Sequence, residues 1–207
     1  MPVIQKGIVS WSGENPGIYL KSASDPQGDW QVLALYFRVI ASDYGRGRGI
    51  LLLGEPGAAA GYPAAPNLCI GDNLELMDYL LTRFVPRFGA FRERKALAYV
   101  TLLQATESHT DERDPTQWVE HIAAGDVSLS LAWKGLQRPL AADVGPDISA
   151  TGEHRMYSLF QGAEQGEVRL NGERLEGVVV ERDFLDGKLN SAFLAFAETW
   201  VEEGHEA

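Results

Sequence analysis

Apolar positions along this chain recur mostly with a period of two, the spacing of a strand with one buried face. The clearest case is residues 127–134, where Val127, Leu129, Leu131 and Trp133 alternate with Ser128, Ser130 and Lys134. Residues 30–41 are apolar almost throughout and rich in β-branched and aromatic side chains. That is the pattern of a central strand covered on both sides. In it Trp30, Val32, Ala34, Tyr36 and Arg38 fall on one face, and Leu33, Leu35, Phe37 and Val39 on the other. Further strands are predicted over 7–11, 17–21, 49–53, 96–105, 118–123 and 155–160.

One segment has a different period. Leu74, Met77, Leu80, Leu81, Phe84, Val85 and Phe88 recur at helical spacing behind Asp72, a capping residue followed three positions later by Glu75. Pro86 and Gly89 suit a stop, so one prominent helix is predicted near 72–88. Residues 54–67, rich in Gly, Ala and Pro, read as a loop able to cover an opening. Residues 107–115 read as a polar loop; His109, Asp111, Glu112 and Asp114 crowd together there without the spacing of a metal site. Nine or ten strands, one helix and no repeat predict a single mainly β domain over 1–207. Its expected form is an antiparallel β-barrel or a strongly curved sandwich, because closure disposes of edge strands.

Residues 167–202 read as three strands joined at Asn171-Gly172 and Asp186-Gly187, dipeptides suited to two-residue hairpin turns. The first turn sets Val168 opposite Leu175; the second sets Val179 opposite Leu194 and Glu181 opposite Ala192. Continuing by twos, Glu181, Asp183, Asn190, Glu198 and Trp200 share the side of Leu194 and Phe196. Carboxylates on a buried face cost several kcal/mol unless they are paired or wet. They sit at an exposed rim, pair with an arginine such as Arg38, or line a cavity where a raised pKa suits proton transfer. A bulge in this region swaps the faces and turns Arg182 and Ser191 inward instead.

Composition narrows the partners. With 18 basic and 29 acidic residues the net charge is −11, which disfavours nucleic acid and anionic lipid. Gly45-Arg46-Gly47-Arg48-Gly49 reads as a turn; its spacing is not that of a dinucleotide fingerprint. No run of about 18 apolar residues exists to span a membrane, and residues 1–6 lack a signal-peptide pattern, so a cytoplasmic protein is expected. The single Cys69 reads as a buried thiol. Trp11, Trp30, Tyr36, Trp133, Tyr157 and Trp200 read as core fillers or as a ligand cage, and His154, just before the Tyr157 strand, as a surface or satisfied histidine or else a proton-transfer group. Serine-elbow, phosphate-loop, paired-cysteine and His-Glu-x-x-His templates are all missing.

Tyr157-Ser158, the run from Gly166 to Gly172, then Gly177 and Arg182-Asp183-Phe184, together resemble the lipocalin-like carotenoid hydratases and their relatives. About thirty C-terminal residues carry the likeness, and the histidine of the family's acidic triplet is absent. The resemblance implies a calycin-type barrel with a lipophilic cavity and gives Asp183 the acidic site position. The expected function is a cofactor-free lyase or isomerase. It would act by acid–base chemistry (hydration, isomerisation or cyclisation) on a small lipophilic molecule in the cavity. Asp183 and Glu181 are the expected proton-transfer groups, with Tyr157 or Arg38 as the polar orienter. Tyr36, Trp30, Glu198 and Trp200 are the other expected cavity residues. The alternatives are a carrier for a small hydrophobic ligand, gated by 54–67, and an oligomeric structural β protein with the helix face as its interface.

Overall fold

The uninterrupted apolar run Val32–Val39 organises the architecture, because both of its faces need cover. The computed structural model describes residues 7–111, 114 and 116–203; the opening segment 1–6 and Glu112 of the polar stretch lie outside the described residues. In chain order the strands are β1 (Gly7–Glu14), β2 (Gly17–Ser22), β3 (Asp25–Ser42), β4 (Gly47–Leu53) and β5 (Asn67–Gly71). After helix α1 (Leu74–Arg83) come β6 (Thr101–Gln104), β7 (Glu107–Asp111), β8 (Gln117–Ala124), β9 (Val127–Leu136) and β10 (Leu140–Val144). The last are β11 (His154–Leu170), β12 (Glu173–Arg174), β13 (Glu181–Phe184), β14 (Gly187–Asn190) and β15 (Ala192–Glu203).

The protein is mainly β, with one large, mostly antiparallel sheet. Among the described residues its main path runs β6-β5-β4-β3-β1-β15-β11-β9-β8-β7, and β13 with β14 forms a separate hairpin. The exception to antiparallel pairing is β5 with β6, which are parallel because α1 crosses over between them. Leu33, Leu35, Phe37 and Val39 pack against α1 together with Trp11 and Trp200. Val32, Ala34 and Tyr36 pack against Leu129, Leu131, Trp133 and Val168 from the far half of the sheet. The sheet therefore curls on itself, and the Trp133 indole donates to the Gly17 carbonyl across that interior at 3.0 Å. Ala105 donates to Gly71 on one side (2.8 Å) and Thr106 to Ala123 on the other (2.8 Å), so the two ends of the path meet on one segment.

Several boundaries differ from the sequence expectations. Asn73, one residue later than expected, caps α1 by accepting from the Leu76 amide, while Asp72 accepts from Arg48. Pro86 stops α1, as its missing N–H requires, and the expected helix to 88 gives way to short 3-10 turns at Val85–Arg87 and Gly89–Phe91. A third such turn, Lys95–Tyr99, replaces the first half of the strand expected over 96–105. Glu107–Asp111 is a strand rather than a loop, held by antiparallel pairing to β8. Among the described residues no helix is long and apolar enough to cross a membrane.

The closing strands depart most. The Asn171-Gly172 turn forms as expected, pairing Arg169 with Arg174. The second hairpin turns around Leu185-Asp186, so Glu181 pairs with Asn190 and Asp183 with Lys188. Between the two hairpins the strand pattern breaks at Gly177, whose φ of 144° excludes an ordinary side chain; an added Cβ there would also lie 2.6 Å from Leu20 Cβ. The β13–β14 hairpin thus leaves the main sheet and lies over the face that carries α1.

Candidate active site: a cleft on the helix face of the sheet

A cleft of about 250 Å³ opens between this face of the sheet and its cover. Strands β11 and β15 supply Met156, Phe160, Phe193 and Trp200 as its floor. The cover comes from residues 88–90, residues 148–150 and the β13–β14 hairpin, which contributes Arg182, Phe184 and Leu185. The 54–67 loop, expected as a gate, does not line this cleft.

Glu198 is 3% exposed and lines this cleft. It arrives there through a bulge. Tyr157 pairs with Thr199 but Leu159 with Phe196, so Ala197 and Glu198 together oppose the single Ser158. Ala197 accommodates the extra residue at a φ of 50°. The bulge moves Glu198 and Trp200 to the opposite face from Phe196, correcting the shared face read by twos. Glu198 Oε1 accepts from Trp200 Nε1 at 2.8 Å and from Asn15 Nδ2 at 3.2 Å. Neither bond uses Oε2, which is left to the cleft among the described residues. Burial pushes the carboxyl up to about 7, against the pull of its two donors.

Arg182 occupies the other side. It is partly buried, and its Nε is sealed from solvent with no hydrogen-bond partner among the described residues. Its guanidinium lies over Phe184 (5.0 Å), Phe193 (5.2 Å) and Tyr19 (5.6 Å). Burial works against its charge, and Tyr19 alone favours it. Tyr19 is buried against Phe91 and Phe193, and its hydroxyl is pushed well above the ordinary value by burial, with Arg182 pulling it down and Glu198 adding to the rise. The tyrosine is thus within electrostatic reach of both charged groups. Arg182 and Glu198 form no ion pair with each other among the described residues, so both remain available.

The expected site residues scatter. Glu181 and Asp183 face solvent, and Asp183 pairs with Lys188 Nζ at 2.6 Å, which lowers its pKa. They lie on the outer side of the hairpin, which leaves the sheet before Ser191. Tyr157 points away from Met156 and Phe160, under the Arg155 guanidinium, and lines no part of the cleft. Trp30 is separated from Val32 by a bulge in the β2–β3 pairing and stands edge-on to Tyr19 at 5.8 Å, outside the cleft. Tyr36 belongs to the sheet's interior, and Arg38, partly exposed, pairs its guanidinium with Glu14. Near them Glu120 is 1% exposed and accepts from Trp118 Nε1 at 2.8 Å and from Thr110 Oγ1. Burial raises its pKa against those donors. Glu198 and Trp200 are the two expected residues that the cleft brings together.

Asn15 and Tyr19 were not anticipated. A polar residue just before a proline, and a tyrosine within the apolar run Ile18–Leu20, are weak signals of a site. His154 is half-buried, with Nδ1 3.1 Å from Thr151 Oγ1 and its ring against Phe84 and Trp200. Among the described residues, no group of three or more His, Cys, Asp and Glu side chains is arranged to hold a metal ion. Comparisons of the chain with protein-family models, with curated proteins and with solved structures found no match.

Proposed function

We propose that this protein is a cofactor-free enzyme performing acid–base chemistry on a small lipophilic molecule, with Glu198 as the proton-transfer group. The reactions that suit such a site are hydration, isomerisation and cyclisation. The observation that carries the reading is the setting of Glu198. A carboxyl buried among aromatic rings, oriented by two donors on one oxygen and open to a cleft through the other, has its pKa raised to about 7. A proton donor or acceptor works best when its pKa lies near the working pH. The apolar floor selects lipophilic ligands, and its low polarity strengthens the electrostatic action of Glu198 on them. We further propose that the curled sheet is a closed, calycin-like barrel, joined where 105–106 bonds to both neighbours. In that reading the ligand sits outside the barrel wall, under the hairpin.

Proton exchange at the carbon beside a ketone carbonyl tests this chemistry without knowledge of the natural substrate. The neutral aryl ketone 2-acetonaphthone in D2O is the probe. The protein should accelerate exchange over buffer, with a rate that rises through about pH 7 as Glu198 ionises. Glu198→Gln should lose about a hundredfold of that acceleration, in line with the usual contribution of a general base. Asp183→Asn, altered at an exposed position, should leave the rate unchanged. Absence of acceleration, or a rate indifferent to Glu198→Gln, overturns the assignment. Binding of the ketone without exchange supports the carrier reading, which shares the same cleft.

A further inference from the structure

We propose that the cleft takes an anionic lipophilic ligand, a small aryl or alkyl carboxylate, whose charged end is held by Arg182. This deepens the proposed function and rests on the cleft being a ligand site.

The inference starts from an imbalance. Arg182 carries a delocalised cation with five fixed donors, yet it makes no hydrogen bond and no ion pair among the described residues, and its Nε is shut off from water. An Nε donor left in that state is costly, because burial removes its hydration without supplying a partner. Three aromatic faces within 5.0–5.6 Å supply part of the deficit and fix the plane of the group, but they satisfy none of its donors. Several other arginines of the described residues do have an acid beside them. Arg38, Arg87 and Arg94 each meet a carboxylate, and so does Arg155, on Asp143. In a protein of net charge −11 an arginine without an acid in a cleft is an unfilled position.

The geometry indicates what fills it. A planar fork matches a carboxylate through two parallel bonds, a match that a point-charge lysine does not offer. Phe184 and Phe193 flank the guanidinium, and Phe160 packs edge-on to Phe184 at 4.7 Å, so the ligand's body beyond the anion meets aromatic surface. A cleft of about 250 Å³ limits that body to roughly two fused rings or a medium-length chain. Glu198 does not pair with Arg182, so a bound acid can reach the arginine without displacing the proton-transfer group. Anchored by its charge, the ligand would present its apolar portion to Glu198 Oε2.

The test compares near-isosteric probes, 2-naphthoate and 2-acetonaphthone, by quenching of tryptophan fluorescence (Trp200 lines the cleft) and by calorimetry. Wild-type protein should bind the carboxylate at least tenfold more tightly than the ketone, the scale of a charge-assisted hydrogen-bond pair. Arg182→Met should abolish that preference while keeping the ketone's affinity, and Arg182→Lys should restore it only in part. Equal affinity of the two probes for wild type overturns the anion anchor and leaves the cleft reading standing. Binding of neither probe overturns both. A preference that survives in Arg182→Met, checked as folded by its circular dichroism, also overturns the inference. If Arg182→Met does not fold, the wild-type comparison and Arg182→Lys decide it.

Discussion

At the scale of single residues, Glu198 is where structure and chemistry meet, and its titration has a consequence for stability. Its pKa rises from 4.5 unfolded to about 7 folded. The folded state therefore holds the proton more tightly, and the stabilisation is fully present below about pH 4.5 and lost as pH climbs through about 7. A shift of that size corresponds to roughly 3 kcal/mol. Glu120, also raised by burial, adds a slope of the same sign, so the wild-type curve alone does not isolate Glu198. The difference between wild type and Glu198→Gln does. Urea midpoints taken at about pH 5 and pH 8 should show the variant gaining on wild type as pH rises; parallel curves would refute the buried, protonated carboxyl. Sequence reading placed Glu198 and Trp200 near a ligand but by the wrong route. Period-two counting put them beside Phe196, and the Ala197 bulge puts them on the other face, where the cleft is. No residue type at 197 announces that bulge, since an alanine carries the positive φ.

At the scale of elements, the hairpin β13–β14 decides which side chains matter. The first turn was legible from Asn171-Gly172, whereas the second forms at Leu185-Asp186, one residue before the expected Asp186-Gly187, and pairs Glu181 with Asn190 rather than Ala192. The point where the hairpin leaves the sheet was not legible, and Gly177 and Ser191 set it. Period-two sorting separates Glu181 and Asp183 from Arg182 but sets the two acids on the apolar side of Leu194, whereas the structure exposes them and half-buries Arg182. It cannot tell that the acids' side runs out of core while the arginine's side gains a cleft. Ser191 is fully buried at this junction; its Oγ donates to the Tyr19 carbonyl at 2.7 Å and accepts from the Val180 amide at 3.0 Å. Ser191→Ala leaves both backbone groups without that partner and should cost about 1–3 kcal/mol in chemical denaturation. It should also weaken 2-naphthoate binding by loosening the arm that carries Arg182. Unchanged stability and affinity would show that the hairpin is held elsewhere.

At the scale of the whole molecule, the mainly β architecture follows from patterning that the sequence states openly: the alternation in 127–134, the doubly buried run in 32–39 and the single helix behind them. The location of the site does not follow, because it depends on which face of a doubly covered sheet stays incompletely packed. The interior receives Trp133, Leu131 and Tyr36, while the helix face is finished by loops and a hairpin. That is where aromatic walls, a carboxyl with a raised pKa and an arginine without an ion pair among the described residues come together. The proposed function requires this cleft to hold its ligand against a carboxyl whose pKa is raised to about 7. The most direct measurement is a carbon-13 NMR titration of glutamate carboxyls, with Glu198 assigned by its disappearance in Glu198→Gln, run with and without 2-naphthoate. A midpoint near 7 that shifts when the ligand is bound is expected; a midpoint near the ordinary 4.5, indifferent to the ligand, would contradict the proposed function.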